Sequence, residues 1–150
     1  MTRQGKIRPL AIGIIRRDDC LFVAEGADPA KKEIFYRPLG GGIKFGEYGH
    51  QALAREFREE LGAEIETVRF LGVIENIFIY RDEKGHEIIL LYEAKFVDKT
   101  FYTKARVIGR EDGDQSFKAL WKSLNDFRDG KAILYPSGLL DILLNPLDKT

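Results

Sequence analysis

The chain has one cysteine, one methionine, one tryptophan and two histidines among its 150 residues. Cys20 alone closes no internal disulfide, so the fold must rest on a packed core, as a reducing compartment would require. With no histidine or second cysteine beside it, Cys20 reads as a bland thiol rather than a nucleophile. No Ser-His or Cys-His pairing stands out, which disfavours peptide or ester hydrolysis by a nucleophilic side chain. Charge of one sign is lacking too: Lys plus Arg number 24 and Asp plus Glu number 24. That balance removes the basic excess on which non-specific nucleic-acid binding depends. No apolar run approaches the ~20 residues of a membrane span, and MTRQGKIRPL lacks the apolar stretch of a signal peptide. The expectation is a cytoplasmic protein without a membrane anchor. Repeats, low-complexity tracts and linkers are absent, so residues 1–150 are expected to form one domain. A chain of this size buries roughly 68–70% of its unfolded surface, enough for a real core.

What is present is concentrated in Gly41–Ala63, GGIKFGEYGHQALAREFREELGA. Glu56, Glu59 and Glu60 are three carboxylates in five residues. On a helix each residue turns by about 100°. With Glu56 at zero, Glu60 lies near +40° and Glu59 near −60°, so roughly one face carries all three. Like charges at this spacing repel, and a hard divalent cation, which prefers oxygen ligands, is the natural compensation. Leu53, Ala54, Phe57 and Leu61 gather on a core-facing arc, Arg55 falls beside Glu59, and Gln51 and Arg58 are left to solvent. Gly40, Gly41 and Gly42 read as a loop where backbone can approach a ligand closely. A helix is expected from Tyr48 to Leu61, stopped by Gly62 in a left-handed cap.

Such a face suits Mg²⁺, with Mn²⁺ as the variant, because Mg²⁺ takes one or two carboxylates plus substrate phosphate oxygens. The cation neutralises a diphosphate and lowers the pKa of a bound water, which suits attack of water on phosphorus. Arg37, just before the glycines, can offer a bidentate phosphate contact. An ion pair on a sheet edge explains it nearly as well.

The stretch resembles the signature of the Nudix (MutT-like) hydrolases: Gly, five residues, Glu, seven residues, Arg-Glu, two residues, Glu-Glu, one residue, Gly. Gly41, Glu47, Arg55, Glu56, Glu59, Glu60 and Gly62 match in register. Phe57 and Ala63 stand where aliphatic residues are usual and read as repacking. FYRPLGGGIKFGE, ENIFIYRDEKGHEIILLYEAKF and LYPSGLLDILLN are similar to flanking segments of one bacterial subgroup, so the likeness spans nearly the whole chain. The resemblance implies Glu56 and Glu60 as main metal ligands, and Glu59 as ligand or base. It implies the Gly40 carbonyl as a backbone ligand, Arg55 as the group orienting a glutamate, and Glu47 near the metal. Gly41 would lie against substrate. In many relatives the base sits on a later loop, where Glu111 competes with Glu59. Tyr80 stands near a tyrosine of dinucleoside-polyphosphate hydrolases, though a half-buried strand position explains it equally. Phe78 and Ile79 occupy the region of a proline that marks ADP-ribose hydrolases.

Strands are expected at Arg8–Arg16, Cys20–Ala24, Ile34–Arg37, Ile65–Tyr80 with a break near Glu75-Asn76, Glu87–Val97 and Ala119–Lys122. Turns are expected at Arg17-Asp18-Asp19 and Asp82–Gly85, and irregular chain over Asp28–Lys32 and Lys99–Asp114. Leu124–Phe127 reads as a helical turn and Ser137–Leu144 as a helix capped by Ser137. The order argues for a mixed β-sheet between helices, and the resemblance implies the same α/β/α sandwich. The expected activity is Mg²⁺-dependent cleavage of a pyrophosphate bond in a nucleoside diphosphate linked to another moiety, or in a nucleoside triphosphate. Two other readings stand beside it. One is a nucleotide sensor that does not cleave, against which the intact triad argues. The other is an RNA 5′-end pyrophosphohydrolase, against which the neutral charge argues. The expected partner is a nucleotide or other diphosphate-bearing small molecule, with a homodimer left open.

Overall fold

The computed structural model describes residues 5–111 and 115–145. The Asp112–Asp114 end of the expected loop and Met1–Gln4 lie outside them. The first strand, β1 (Ile7–Ile14), is central in its sheet. Its near-continuous apolar run reflects burial on both faces. It pairs antiparallel with β5 (Gly40–Gly42) and parallel with β7 (Glu83–Phe96), on which β6 (Ile65–Tyr80) lies antiparallel. The second sheet is antiparallel. It joins β2 (Arg16–Arg17), β3 (Cys20–Asp28), β9 (Ser116–Ser123) and β8 (Arg106–Arg110), with β4 (Glu33–Pro38) also on β3. The α/β expectation holds, and the strands divide between two sheets of which the first is mixed.

Alternation along β1 feeds two cores. Ala11 and Ile15 join Phe22, Leu39, Phe96 and Trp121 in one cluster, sealed by Ala52, Leu53 and Phe57 of helix α1 (Gly49–Leu61). Leu10, Ile12 and Ile14 join Val23, Ile89 and Leu91 in the other. Leu124 and Phe127 of α2 (Leu124–Arg128) and Leu139 and Leu143 of α3 (Leu139–Leu144) close it. Gly13 lets α1 press onto β1, because an added Cβ would meet Leu53 and Phe57 at 3.2–3.3 Å. Among the described residues, no helix is long and apolar enough to cross a membrane.

Several expectations need correction. The glycines are a short strand, β5, not a loop, since β1 offers its edge to Gly40–Gly42. β6 does not break at Glu75-Asn76. Its register slips instead between Thr67 and Arg69 and between Phe70 and Gly72, where bulges absorb the twist of a long hairpin. The hairpin turn is Arg81-Asp82, both at positive φ (52° and 65°), not Asp82–Gly85. This is the primed geometry of a two-residue loop, with Asp at one position. The polar stretch after Lys99 contains a 3₁₀ turn, Lys99–Tyr102, and strand β8. Gly138 in the left-handed region, not Ser137, precedes α3, which starts at Leu139 without a side-chain cap. On α1, Ala52 is fully buried while Ala54 and Leu61 are half-buried, because β7 packs against Gly49 through Leu90 and Tyr92.

Candidate active site

Helix α1 is set at both ends. Gln51 Oε1 accepts the Tyr48 N–H at 2.9 Å, the side-chain half of a capping box. Gly62, at φ 65°, sends its N–H to Arg58 O at 2.9 Å, while Ala63 N–H reaches Phe57 O at 3.3 Å. This is the paired left-handed cap expected of glycine. With Leu53 and Phe57 anchored in the core, the helix cannot rotate. Glu56, Glu59 and Glu60 therefore emerge together into a cleft of about 620 Å³. Arg37, Gly40, Gly41 and Glu111 line the same cleft. The structure thus brings the predicted site residues together except Arg55 and Glu47, which line a separate hollow.

Arg55 is the hub of the acidic face. Its Nε donates to Glu47 Oε2 at 2.7 Å and its Nη2 to Glu47 Oε1 at 2.9 Å, a bidentate pair. Nη2 also donates to the Gly42 carbonyl at 2.9 Å, and Nη1 to Glu56 Oε1 at 2.9 Å and Glu59 Oε2 at 3.3 Å. One guanidinium thereby joins the helix, the glycine strand and the loop after it. Hydrogen bonds from Arg55, then from the Lys44 N–H, hold the Glu47 carboxyl down to about 2. Donating those bonds to Glu47, and then one to Glu56, raises the Arg55 guanidinium above its ordinary range.

Gly41 lies flat against the Glu56 carboxylate: an added Cβ would collide with its carboxyl carbon. The donor chemistry around it is all oxygen, and no histidine or cysteine lines this cleft among the described residues. That set fits a hard divalent cation. Among the described residues, no three acidic, histidine or cysteine side chains stand close enough to chelate an ion as they are. Arg55 Nη1 pairs with both Glu56 and Glu59. Glu59 is more than half exposed, on the outer side of the face. Glu111 is exposed at the cleft rim, where its N–H closes onto Gln115 O at 2.7 Å.

Arg37 lies on β4 and forms an ion pair, as one of its two readings had it. It lines the cleft and stands 3.9 Å from Glu87 in an ion pair. Tyr80 is held at a different place, with its hydroxyl accepting from Arg81 Nε at 2.9 Å and its ring edge-on to Phe35. It lines a second cavity of about 700 Å³ that shares Arg37, Glu111 and Phe117 with the first. Among the cleft residues that sequence reasoning missed are Arg8 and Glu87. The signal was in the alternation: Glu87 occupies the row of Ile89 and Leu91, and Arg8 the row of Leu10 and Ile12.

The NUDIX domain family model matches residues 6–137. No curated protein matches the chain in sequence. Among solved structures, the NUDIX hydrolase from Nitrosomonas europaea superposes with a TM-score of 0.64 at 17% identity, over 93% of this chain and 87% of that one. The MutT NUDIX hydrolase from Burkholderia pseudomallei gives 0.62 at 20% identity, over 95% and 99%. A UDP-X diphosphatase gives 0.52 at 14% identity, over 83% of this chain and 54% of its own. At these identities the likeness establishes the fold.

Proposed function

The chain belongs to the NUDIX family, hydrolases of pyrophosphate bonds, and from that premise we propose that it is an Mg²⁺-dependent enzyme. Its substrate is a nucleoside diphosphate linked to another moiety, or a nucleoside triphosphate. The observation that carries the reading is the convergence of Glu56, Glu59 and Glu60 with Gly41, Arg37 and Glu111 in one cleft. Glu56, Glu59, Glu60 and the Gly40 carbonyl would hold the cation. When bound, it supplies charge neutralisation on the diphosphate and a water of lowered pKa.

The chain's own residues do the rest. Arg55 orients Glu56 and Glu59 by charge-assisted hydrogen bonds. Gly41 keeps the Glu56 carboxylate pressed to the strand. Arg37 contacts a phosphate of the substrate. Either Glu59 or Glu111 takes the proton from the attacking water; both line the cleft.

The test is a panel of nucleoside triphosphates and diphosphate-linked nucleotides, with Mg²⁺, with Mn²⁺ and with EDTA, in ¹⁸O-labelled water. Cleavage should need the cation and place label on a product phosphate. Label on carbon, or undiminished cleavage in EDTA, would overturn the mechanism. Discrimination among nucleobases should be modest, since one contact difference in a pocket is worth about 1–3 kcal/mol.

A further inference from the structure

We infer that Arg8 and Arg37, set in place by the buried carboxylate of Glu87, form a two-arginine clamp for substrate phosphate in the acidic cleft. This deepens the reading above and rests on it. The observation is a charge where the fold calls for an aliphatic side chain. Across β1, β7 and β6, one cross-strand row is Leu10, Ile89 and Ile74, all buried. The adjacent row on the same face is Arg8, Glu87 and Asn76. Glu87 is 1% exposed. An ionised carboxylate at such a depth is retained only with cations or donors around it.

Its surroundings are specific. Arg8 Nη1 lies 3.8 Å from Glu87 Oε2, and Arg37 Nη2 lies 3.9 Å from Oε1. Asn76 Nδ2 reaches Oε1 at 3.4 Å, while Oε2 accepts no hydrogen bond. At these separations the ion pairs are Coulombic contacts rather than short bidentate bonds. Two cations thus face one anion, and all three line the cleft that holds Glu56, Glu59 and Glu60. Arg8 Nη2 also comes to 3.9 Å from where a Cβ of Gly42 would stand, beside the glycine strand. A guanidinium pair of this kind recognises phosphate oxygens through its planar donors.

The arginines come from different sheets, Arg8 from β1 and Arg37 from β4. Glu87 is the group that relates them, so it is a positioning residue. This assigns it an effect opposite to simple electrostatics. Removing a negative charge from a phosphate site should strengthen binding if charge alone matters. If Glu87 holds the arginines in register, removing it should weaken binding.

The experiment titrates inorganic pyrophosphate into the intact protein in EDTA by calorimetry, which isolates the clamp from any metal. The parent should bind. Arg8→Gln and Glu87→Gln should each weaken binding by about tenfold or more, and the double variant no further than Arg8→Gln alone, because the residues act as one unit. Glu60→Gln should not weaken it. In metal-supported turnover, Glu87→Gln should raise KM by about tenfold with kcat within roughly threefold, the split of a lost binding contact. Glu87→Asp, which keeps the charge, should recover part of the affinity. Should Glu87→Gln fail to fold, Arg8→Gln and Arg37→Gln, both at partly exposed side chains, carry the same test. Equal or tighter pyrophosphate binding by Glu87→Gln, or none by the parent, overturns the clamp. Pyrophosphate binding with this pattern but no cleavage of any nucleotide would sink the proposed activity and leave the clamp standing.

Discussion

The roles proposed for single carboxylates in the cleft can be separated. Glu60 stands one helical turn after Glu56 and lines the cleft. Glu60→Gln keeps the size and removes the charge, so kcat should fall by ~10²-fold or more. The fold should persist, because one of three mutually repelling charges on the helix is gone. Full turnover by this variant would refute the assignment. Glu111→Gln separates the two candidate bases: if Glu111 is the base, the pH–rate limb reporting it flattens while Mg²⁺ affinity holds. A profile identical to the parent's at every pH leaves the role to Glu59. Gly41 tests the same site from the backbone side. In Gly41→Ala the new Cβ displaces the Glu56 carboxyl, the tip of a flexible side chain, rather than the main chain. Activity and Mg²⁺ affinity should therefore drop by about tenfold or more, with a melting temperature shifted by only a few degrees. A large loss of stability with metal affinity intact would contradict that geometry.

Between elements, Arg55 fastens the loop of Glu47 to the middle of α1 and to β5. Because Glu47 is held at about 2, below its ordinary 4.5, the linkage has a definite sign. Its contribution to stability is complete above pH 4.5 and drains away as acid approaches pH 2. In EDTA, the melting temperature of Glu47→Gln should decline less steeply than the parent's between pH 5 and pH 2.5. Parallel declines would remove Glu47 from the acid response. The same elements show how far the sequence could be read. Helix α1 was legible because capping, apolar spacing and charge spacing all pointed to one orientation. β8 was hidden, since Arg106, Gly109 and Arg110 give it a polar edge-strand composition and only pairing with β9 organises it. β5 was hidden for a related reason: three glycines carry no strand preference of their own, and β1 imposes the conformation. Glu87 and Arg8 were legible as strand residues, but not as neighbours of Arg37, because that contact joins two sheets whose mutual placement no local pattern encodes.

At the scale of the whole molecule, two cores flank a central strand, and the cleft opens where the sheets and α1 meet. The NUDIX family match accounts for that arrangement, while periodicity alone supplied elements without topology. One feature of the topology bears on synthesis. β1 pairs in parallel with β7, Ile7 opposite His86 and Ile14 opposite Glu93. The β6–β7 hairpin closes through a two-residue turn and can form locally. Seating β1 requires a long loop to close, at an entropic cost that local pairing does not carry. As a ribosome extrudes the chain, the stretch from Leu10 to Ile15 meets β5 early, but its parallel partner β7 follows only after α1 and β6. Until then the segment bearing Arg8 keeps one strand edge open, the kind of edge that invites pairing with another chain.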